Sequence, residues 1–395
     1  MKSDDSRIFD ALSASNIEGA VQDFDKERKR LLKNEETIAD SERRWIWELL
    51  QNAKDVADGK FKAKILLHDR YVQFFHNGKS FTDSDLLALI SHKTSKRKQK
   101  RTNSSGTYKK PTGKFGSGFV STFLIAPKVI IESLFYDLDK DSDRSFSIEL
   151  DRDIRNYHED EQIEKDIKKS FEAWKNIVCN RNDEYQEEEG ERQDFTTSFR
   201  YELTKEGNAA IQTGIQDIKR SIGFTLAFIP ELESVEIDNQ IEKQKIVYSA
   251  SHERSVEDNL KRTKVFQSID GSPKEEIYKI VSIFREYKLE DSEISVSLSV
   301  AFKNNEIYID PKNPTLYCSL PLVGTEEKFK YSTVINSSGF YPLEHRNDIP
   351  LGSEQATEGP RNRQIFEILV PLYEELLHQM AKEKIKNLYL LANFE

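Results

Sequence analysis

The chain is poor in the residues that staple a fold. Its 395 residues contain two cysteines, Cys179 and Cys318, too far apart for a metal-ligand or redox pair. That excludes a disulfide framework and a CxxC site and points to isolated thiols in a reducing compartment. No run of eighteen apolar residues occurs, so no membrane-spanning helix is expected. The first residues, "MKSDDSRIFDALSAS", carry acids and no apolar segment, against secretion or organelle import, and the expected location is cytoplasmic. The seven histidines form no HExxH pair, and His158, in the acidic run "YHEDEQ", is expected in solvent. Metal-only chemistry is therefore not expected. The net charge of −10 argues against wholesale coating of a nucleic acid.

What is present is a charged, globular composition: 37% hydrophobic, 32% charged and 10% aromatic, long enough for two cores. In "RRWIWELLQNAKDVADGK", from Arg43 to Lys60, Glu48, Asn52 and Asp55 fall at i, i+4 and i+7. At 3.6 residues per turn these side chains lie within roughly 60° of one another on a helix. Ile46, Leu50, Ala53 and Ala57 project from the opposite side, with Trp45, Leu49 and Val56 flanking. Taken alone, the trio reads as the solvated face of an amphipathic helix.

Downstream, "FKAKILLHDRYVQFFHNGKSF" predicts two strands turning near His68-Asp69-Arg70, and "TDSDLLALIS" a short helix capped by Thr82 or Ser84. Residues 91–112 form a polar, basic segment that reads as a long loop. "GKFGSGFVSTFLIAPKVIIESLF" predicts a glycine-rich turn, a helix and a strand. Residues 137–194 read as strand edges, an exposed helix and a solvated loop, closed by a strand at "TSFRYELT". From about Ala209, strands such as "SVSLSVAFKNNEIYID" alternate with helices such as "RNRQIFEILVPLYEELLHQMAKEKIKNLYLLA", suggesting a second α/β or α+β domain.

Gly113, Gly116 and Gly118 precede an apolar helix, where bare backbone and free amides favour an anion. This is not a Walker A loop: six residues separate Gly106 from Gly113, and Phe115 follows Lys114 where Ser or Thr is needed. A tight turn packing a helix on a sheet accounts for the glycines equally well.

In combination, "WELLQNAKDVA", a strand ending in "HNG", a long basic loop and "TGKFGSGFVSTFLIAPKVII" resemble, in that order, the GHKL ATPases. That superfamily includes DNA gyrase B subunits, ninety-kilodalton heat-shock chaperones, histidine kinases and MutL proteins, and the chaperone, MORC and sacsin-like branch is the most similar. "TLYCSLPLVGTEEKFKYSTVINSSGFYPLEHRNDIPL" is similar to the transducer segment that follows the nucleotide domain.

The resemblance implies an α+β chain: a two-layer α/β sandwich of the Bergerat type over 41–207 after a helical leader at 1–40, then an α/β transducer-like domain of the S5 type over 208–395. It implies ATP and Mg²⁺ as cofactors. Glu48 would be the general base that activates water, and Asn52 a magnesium ligand. Asp55 would orient groups near the sugar or base. Gly113, Lys114, Phe115, Gly116, Ser117, Gly118 and Phe119 would line the phosphates, under a lid at 91–112 with Lys96 a phosphate neighbour. Thr197, or Thr196 beside it, would sit near adenine, unless either is simply a strand residue. Arg346 would reach the γ-phosphate from the transducer, with Lys330, Arg361 and Arg363 as alternatives.

One departure stands out. The family's second motif begins with an Asp that accepts from the adenine amino group. Here His76 holds that place, Gly78 is retained and Ser80 replaces a glycine. Asn77 or a neutral His76 retains an acceptor for that bond; His76 reads equally as a buried histidine bonded to backbone.

The implied activity is an ATP-driven conformational switch, as a homodimer or with a separate effector protein, in a chaperone-like or antiviral defence role. The alternative is a nucleotide sensor with little hydrolysis. The basic lid could contact nucleic acid, but attraction to a triphosphate is the favoured reading.

Overall fold

A computed structural model describes residues 2–92, 118–137, 141–179, 194–255, 259–289, 292–343, 346–352 and 358–392. Helix covers 41% and strand 33%, so the fold is mixed α/β. Two compact units are present: residues 1–214 with 238–243, and 215–237 with 244–395.

In the first unit, α1 (Lys2–Leu31) is followed by α2 (Glu35–Val56), so a boundary at residue 40 falls inside α2. Asn34 caps α2, its side chain accepting from the Thr37 amide at 2.8 Å. The helix stops at Val56, which places Ala57 outside its apolar face. Next come β1 (Phe61–Leu67), β2 (Tyr71–His76) and α3 (Asp83–Ile90). Thr82 caps α3, in a reciprocal box with Asp85. Then follow a 3₁₀ segment at Gly118–Leu124, β3 (Lys128–Asp137), β4 (Ser142–Asp151), α4 (Asp160–Cys179), β5 (Thr197–Glu202) and the start of α5 (Lys205–Phe228), whose residues from Ile215 onward belong to the second unit.

The strands form an antiparallel sheet in the order β1-β2-β5-β3-β4. Cross-strand partners share a face. Ile65, Phe74, Phe199, Ile131 and Ile148 form one such buried row.

Two expectations need correction here. The helix expected after the glycines is 3₁₀, because Ser121 and Thr122 hydroxyls return to the carbonyls of Gly118 and Phe119 three residues back, at 2.7 Å each. And α4 is not an exposed helix: Ile163, Ile167, Phe171 and Trp174, at helical spacing, are buried against α1 and β4. His158, just ahead of it, is exposed as expected.

Arg152 ties these helices to the sheet. Fully buried, it donates to the Ile90, Asp151 and Asp166 carbonyls and, at 3.1 Å, to His92 Nε2. A buried guanidinium is tolerated here because its donors are met by oppositely polarised atoms.

In the second unit, β6 (Leu232–Asn239), whose last two residues belong to the first unit, leads into β7 (Gln244–Ser255), β8 (Leu260–Ile269), β9 (Glu275–Leu289) and β10 (Ser292–Lys303), the last four an antiparallel meander. Among the described residues no helix interrupts that run, so the expected alternation of strands and helices is absent from them. Short strands follow: β11 (Glu306–Tyr308), β12 (Leu316–Cys318), β13 (Leu320–Pro321) and, after α6 (Thr325–Lys328), β14 (Val334–Ser337). The β12–β14 pairing is parallel, which makes the sheet mixed.

Helix α7 (Glu358–Lys382) packs on β9 and β10 through Ile365, Leu369, Leu372, Leu376 and Met380. It ends where Lys384 adopts a left-handed backbone, so it does not run on through "NLYLLA". On the other face, Lys261 donates to the Ala227 carbonyl at the end of α5, and burial depresses its pKa to about 8. That lysine caps a helix C-terminus.

Candidate functional site

Helix α2 does not present a solvated face. From Arg44 to Gln51 every residue is buried, Glu48 included at 8% exposure. A carboxylate so placed needs a partner, and Arg44, one turn earlier, donates from Nη2 to Glu48 Oε1 at 2.8 Å. Sequence reasoning overlooked Arg44, although an Arg four residues before an acid on a helix is a legible pairing signal.

The other carboxylate oxygen faces Gly118. A Cβ on Gly118 would lie 1.9 Å from Glu48 Oε2, so only glycine lets the start of the 3₁₀ segment approach the acid this closely. The structure thus brings together two features 70 positions apart in the chain, the helix acid and the last glycine.

One turn beyond Glu48, Asn52 is half-buried, and among the described residues its amide has no hydrogen-bond partner. Asp55 is half-buried in the last turn. At the helix end, Lys79 N donates to the Val56 carbonyl at 3.0 Å, and a Cβ on Gly78 would lie 2.4 Å from Val56 Cγ2. The "HNG" turn is therefore docked on the end of α2.

The sheet face beneath ends in polar atoms. His76 on β2 pairs with Thr197 on β5, and Thr197 Oγ1 lies 2.6 Å from Ser133 Oγ on β3. All three side chains are at most 5% exposed. They extend a face that is apolar two residues back along each strand, where Phe74, Phe199 and Ile131 sit. Phe119, next to Gly118, places its ring 5.8 Å from Phe199, which joins the 3₁₀ segment to this face. The Phe119 side chain is thus core.

Thr197 is better placed on this face than Thr196. The Thr196 hydroxyl donates to the Gly78 carbonyl at 2.6 Å, bracing the turn. Asn77 Oδ1 accepts from the Lys62 amide at 2.7 Å. His76 Nδ1 accepts from the Gly78 amide at 3.0 Å, and burial lowers the ring's pKa to about 3. His76 is thus the buried histidine bonded to backbone that the sequence also allowed, while Asn77 Oδ1, bonded by one amide, keeps a second lone pair.

Compared with known proteins, the chain matches no family model and no curated protein sequence.

Lys96, Gly113, Lys114, Phe115, Gly116 and Ser117 lie outside the described residues, as does most of the segment expected as a lid. Arg346 belongs to the second unit, its backbone left-handed at φ 54° and its amide donating to the Leu343 carbonyl at 2.8 Å. Of the alternatives, Arg361 is buried, donating to the Gly339 carbonyl at 3.3 Å, and Arg363 donates to the Leu351 carbonyl. Both bonds are structural.

Removing Arg44 would leave the Glu48 charge buried beside apolar neighbours. Arg44→Met is expected to lower stability by about 3 kcal/mol, read as a shift of the urea midpoint. Adding Glu48→Gln should recover part of that loss, because the stranded charge is then gone.

Proposed function

We propose that the first unit is a nucleoside-triphosphate site of the GHKL type, with the Bergerat arrangement the resemblance implies, and that it hydrolyses the γ-phosphate of ATP to drive a conformational switch. The observation that carries this reading is the seating of the Glu48 carboxylate against Gly118. It puts an acid beside bare backbone at a helical start, where a terminal phosphate and an attacking water would meet.

In this reading Glu48 Oε2 orients the water and takes its proton, while Arg44 fixes the carboxylate through Oε1. The residues present fit a magnesium-bound triphosphate. Asn52 offers an uncommitted amide one turn from the acid, and this cation commonly takes few protein ligands beside phosphate oxygens. Among the described residues no three His, Cys, Asp or Glu cluster as a protein-only metal site. Magnesium would supply positive charge to the phosphates.

Homodimerisation on nucleotide binding, or transmission to a separate effector through the second unit, would convert occupancy into output, as in a chaperone-like or defence role. No helix among the described residues is long and apolar enough to cross a membrane.

The Arg44–Glu48 pair also favours a second reading, a sensor that binds nucleotide and turns it over little, because the ion pair already engages one oxygen of the acid that would act as base. Titrating the full chain with ATP, with and without Mg²⁺, alongside phosphate release separates the two. Magnesium-dependent binding with turnover supports the switch, and binding without release supports the sensor. Absence of binding in both buffers would remove the nucleotide site itself.

A further inference from the structure

The geometry points to a second binding site, within the second unit, that takes a small primary carboxamide: a neutral C(=O)NH₂ group on a short apolar stem. It does not depend on the nucleotide reading above.

A cavity of about 40 Å³ lies between the second half of α5, β9, β10, β11 and the start of β14. All its lining residues belong to the second unit. A water needs about 10–15 Å³, so there is room for roughly three atoms of that size, the number in an amide head group. Tyr278 and Tyr308 stack at its side with ring centroids 6.0 Å apart, and Tyr308 and Ile309 are exposed. An apolar mouth of this kind suits the stem of a ligand whose polar head lies inside.

Several polar groups of the lining are already engaged. Ser299 Oγ lies 2.7 Å from Ser282 Oγ. Asn313 donates to the Pro314 carbonyl at 2.7 Å and accepts from the Tyr317 hydroxyl at 3.3 Å. Thr315 donates to the Thr325 carbonyl at 3.1 Å.

Thr333 and Arg220 differ. The Thr333 residue is 6% exposed, and among the described residues its hydroxyl has no hydrogen-bond partner. Arg220 forms ion pairs with Asp310 at 3.3 Å and Asp217 at 3.8 Å, yet among the described residues its guanidinium makes no hydrogen bond. An enclosed hydroxyl without a partner, on the wall of a cavity, calls for a ligand atom.

The charges decide the class of ligand. Arg220 brings N–H donors and Asp310 brings carboxylate lone pairs, side by side. A primary carboxamide matches both: its carbonyl accepts from Arg220 and Thr333, and its NH₂ donates to Asp310. A carboxylate would set its charge against Asp310, while Asp217 and Asp310 already offset Arg220. An ammonium ion would set its charge against Arg220.

The test is a titration of the full chain with propionamide, acetate and methylammonium, followed through the backbone amide signals of Tyr308 and Thr333. Propionamide is expected to shift both signals with a dissociation constant of about 1–10 mM, the reach of five heavy atoms in a fitted site. Acetate and methylammonium are each expected to bind at least about fivefold more weakly, the worth of one hydrogen bond. Either ion binding as tightly as propionamide overturns the inference. So does the absence of a shift at about tenfold above the expected constant.

Thr333→Val keeps the shape and removes the hydroxyl, and it is expected to weaken propionamide at least about fivefold. Asp310→Asn is expected to narrow the gap between propionamide and acetate, because the opposing charge is gone. Unchanged affinity in the first variant, or an unchanged gap in the second, overturns the contact assigned to that residue. Acetyl-glutamine methylamide carries the same amide on a peptide. Tighter binding than propionamide identifies a peptide side chain as the natural source, and equal or weaker binding a free small amide.

Discussion

Glu48→Gln is expected to lower triphosphate hydrolysis by about 10²–10⁴-fold, the usual worth of a positioned general base, with nucleotide affinity retained. Gln is the informative substitution because Ala would remove more than the base. Glu48 Oε1 is the acceptor for Arg44 at 2.8 Å, and truncation would strand a guanidinium that is 5% exposed. A Gln carbonyl keeps an acceptor for Arg44 and fills the space against Gly118. It cannot take a proton from water at neutral pH. Phosphate release and nucleotide binding should be measured on the same preparation. Turnover at the parent rate with Gln in place would show that another group activates the water.

How much of this could be read from the sequence depends on whether the signal is local. The β1–β2 hairpin, the Thr82 cap and the β5 strand follow from alternation and capping chemistry, which act over a few residues. The spacing of Glu48, Asn52 and Asp55 was equally legible. The burial of that helix was not, because it depends on the 3₁₀ segment and on α5, whose Ala210 carbonyl accepts from Trp45 Nε1 at 3.1 Å, 165 positions away. Such packing turns an apparently solvated acid into an enclosed one.

The polar row was hidden for the same reason. Ser133 in "VIIESLF" and Thr197 in "TTSFRYEL" are ordinary strand residues until the register sets them side by side with His76. The β7–β10 meander escaped notice because its pairing is set between strands rather than within them. Arg285 binds Glu375 on α7, and Arg262 binds Glu383 just beyond the end of that helix.

Acid should weaken the first unit through His76. Its folded pKa is depressed to about 3 by burial, against 6.5 for the ordinary side chain. Between these values the unfolded chain binds a proton that the folded one excludes, so stability rises with pH in that window. Above pH 6.5 both states are neutral and the group contributes no pH dependence. Below it the penalty grows by about 1.4 kcal/mol per pH unit, reaching about 3 kcal/mol at pH 4.5. The protonated ring would also lose Nδ1 as acceptor for the Gly78 amide, loosening the turn docked on Val56.

His92, buried and beside Arg152, is shifted the same way, so the whole acid slope will not vanish when His76 is replaced. His76→Asn isolates the share of His76. An Asn oxygen falls near the position of Nδ1 and keeps an acceptor for Gly78, but it does not titrate. Urea midpoints at pH 7 and pH 4.5 should therefore separate less in His76→Asn than in the parent, by about 3 kcal/mol in the derived free energies. Equal separation in the two proteins would mean that His76 is already protonated in the folded state, and a lone pair on Nδ1 would no longer be available to the turn.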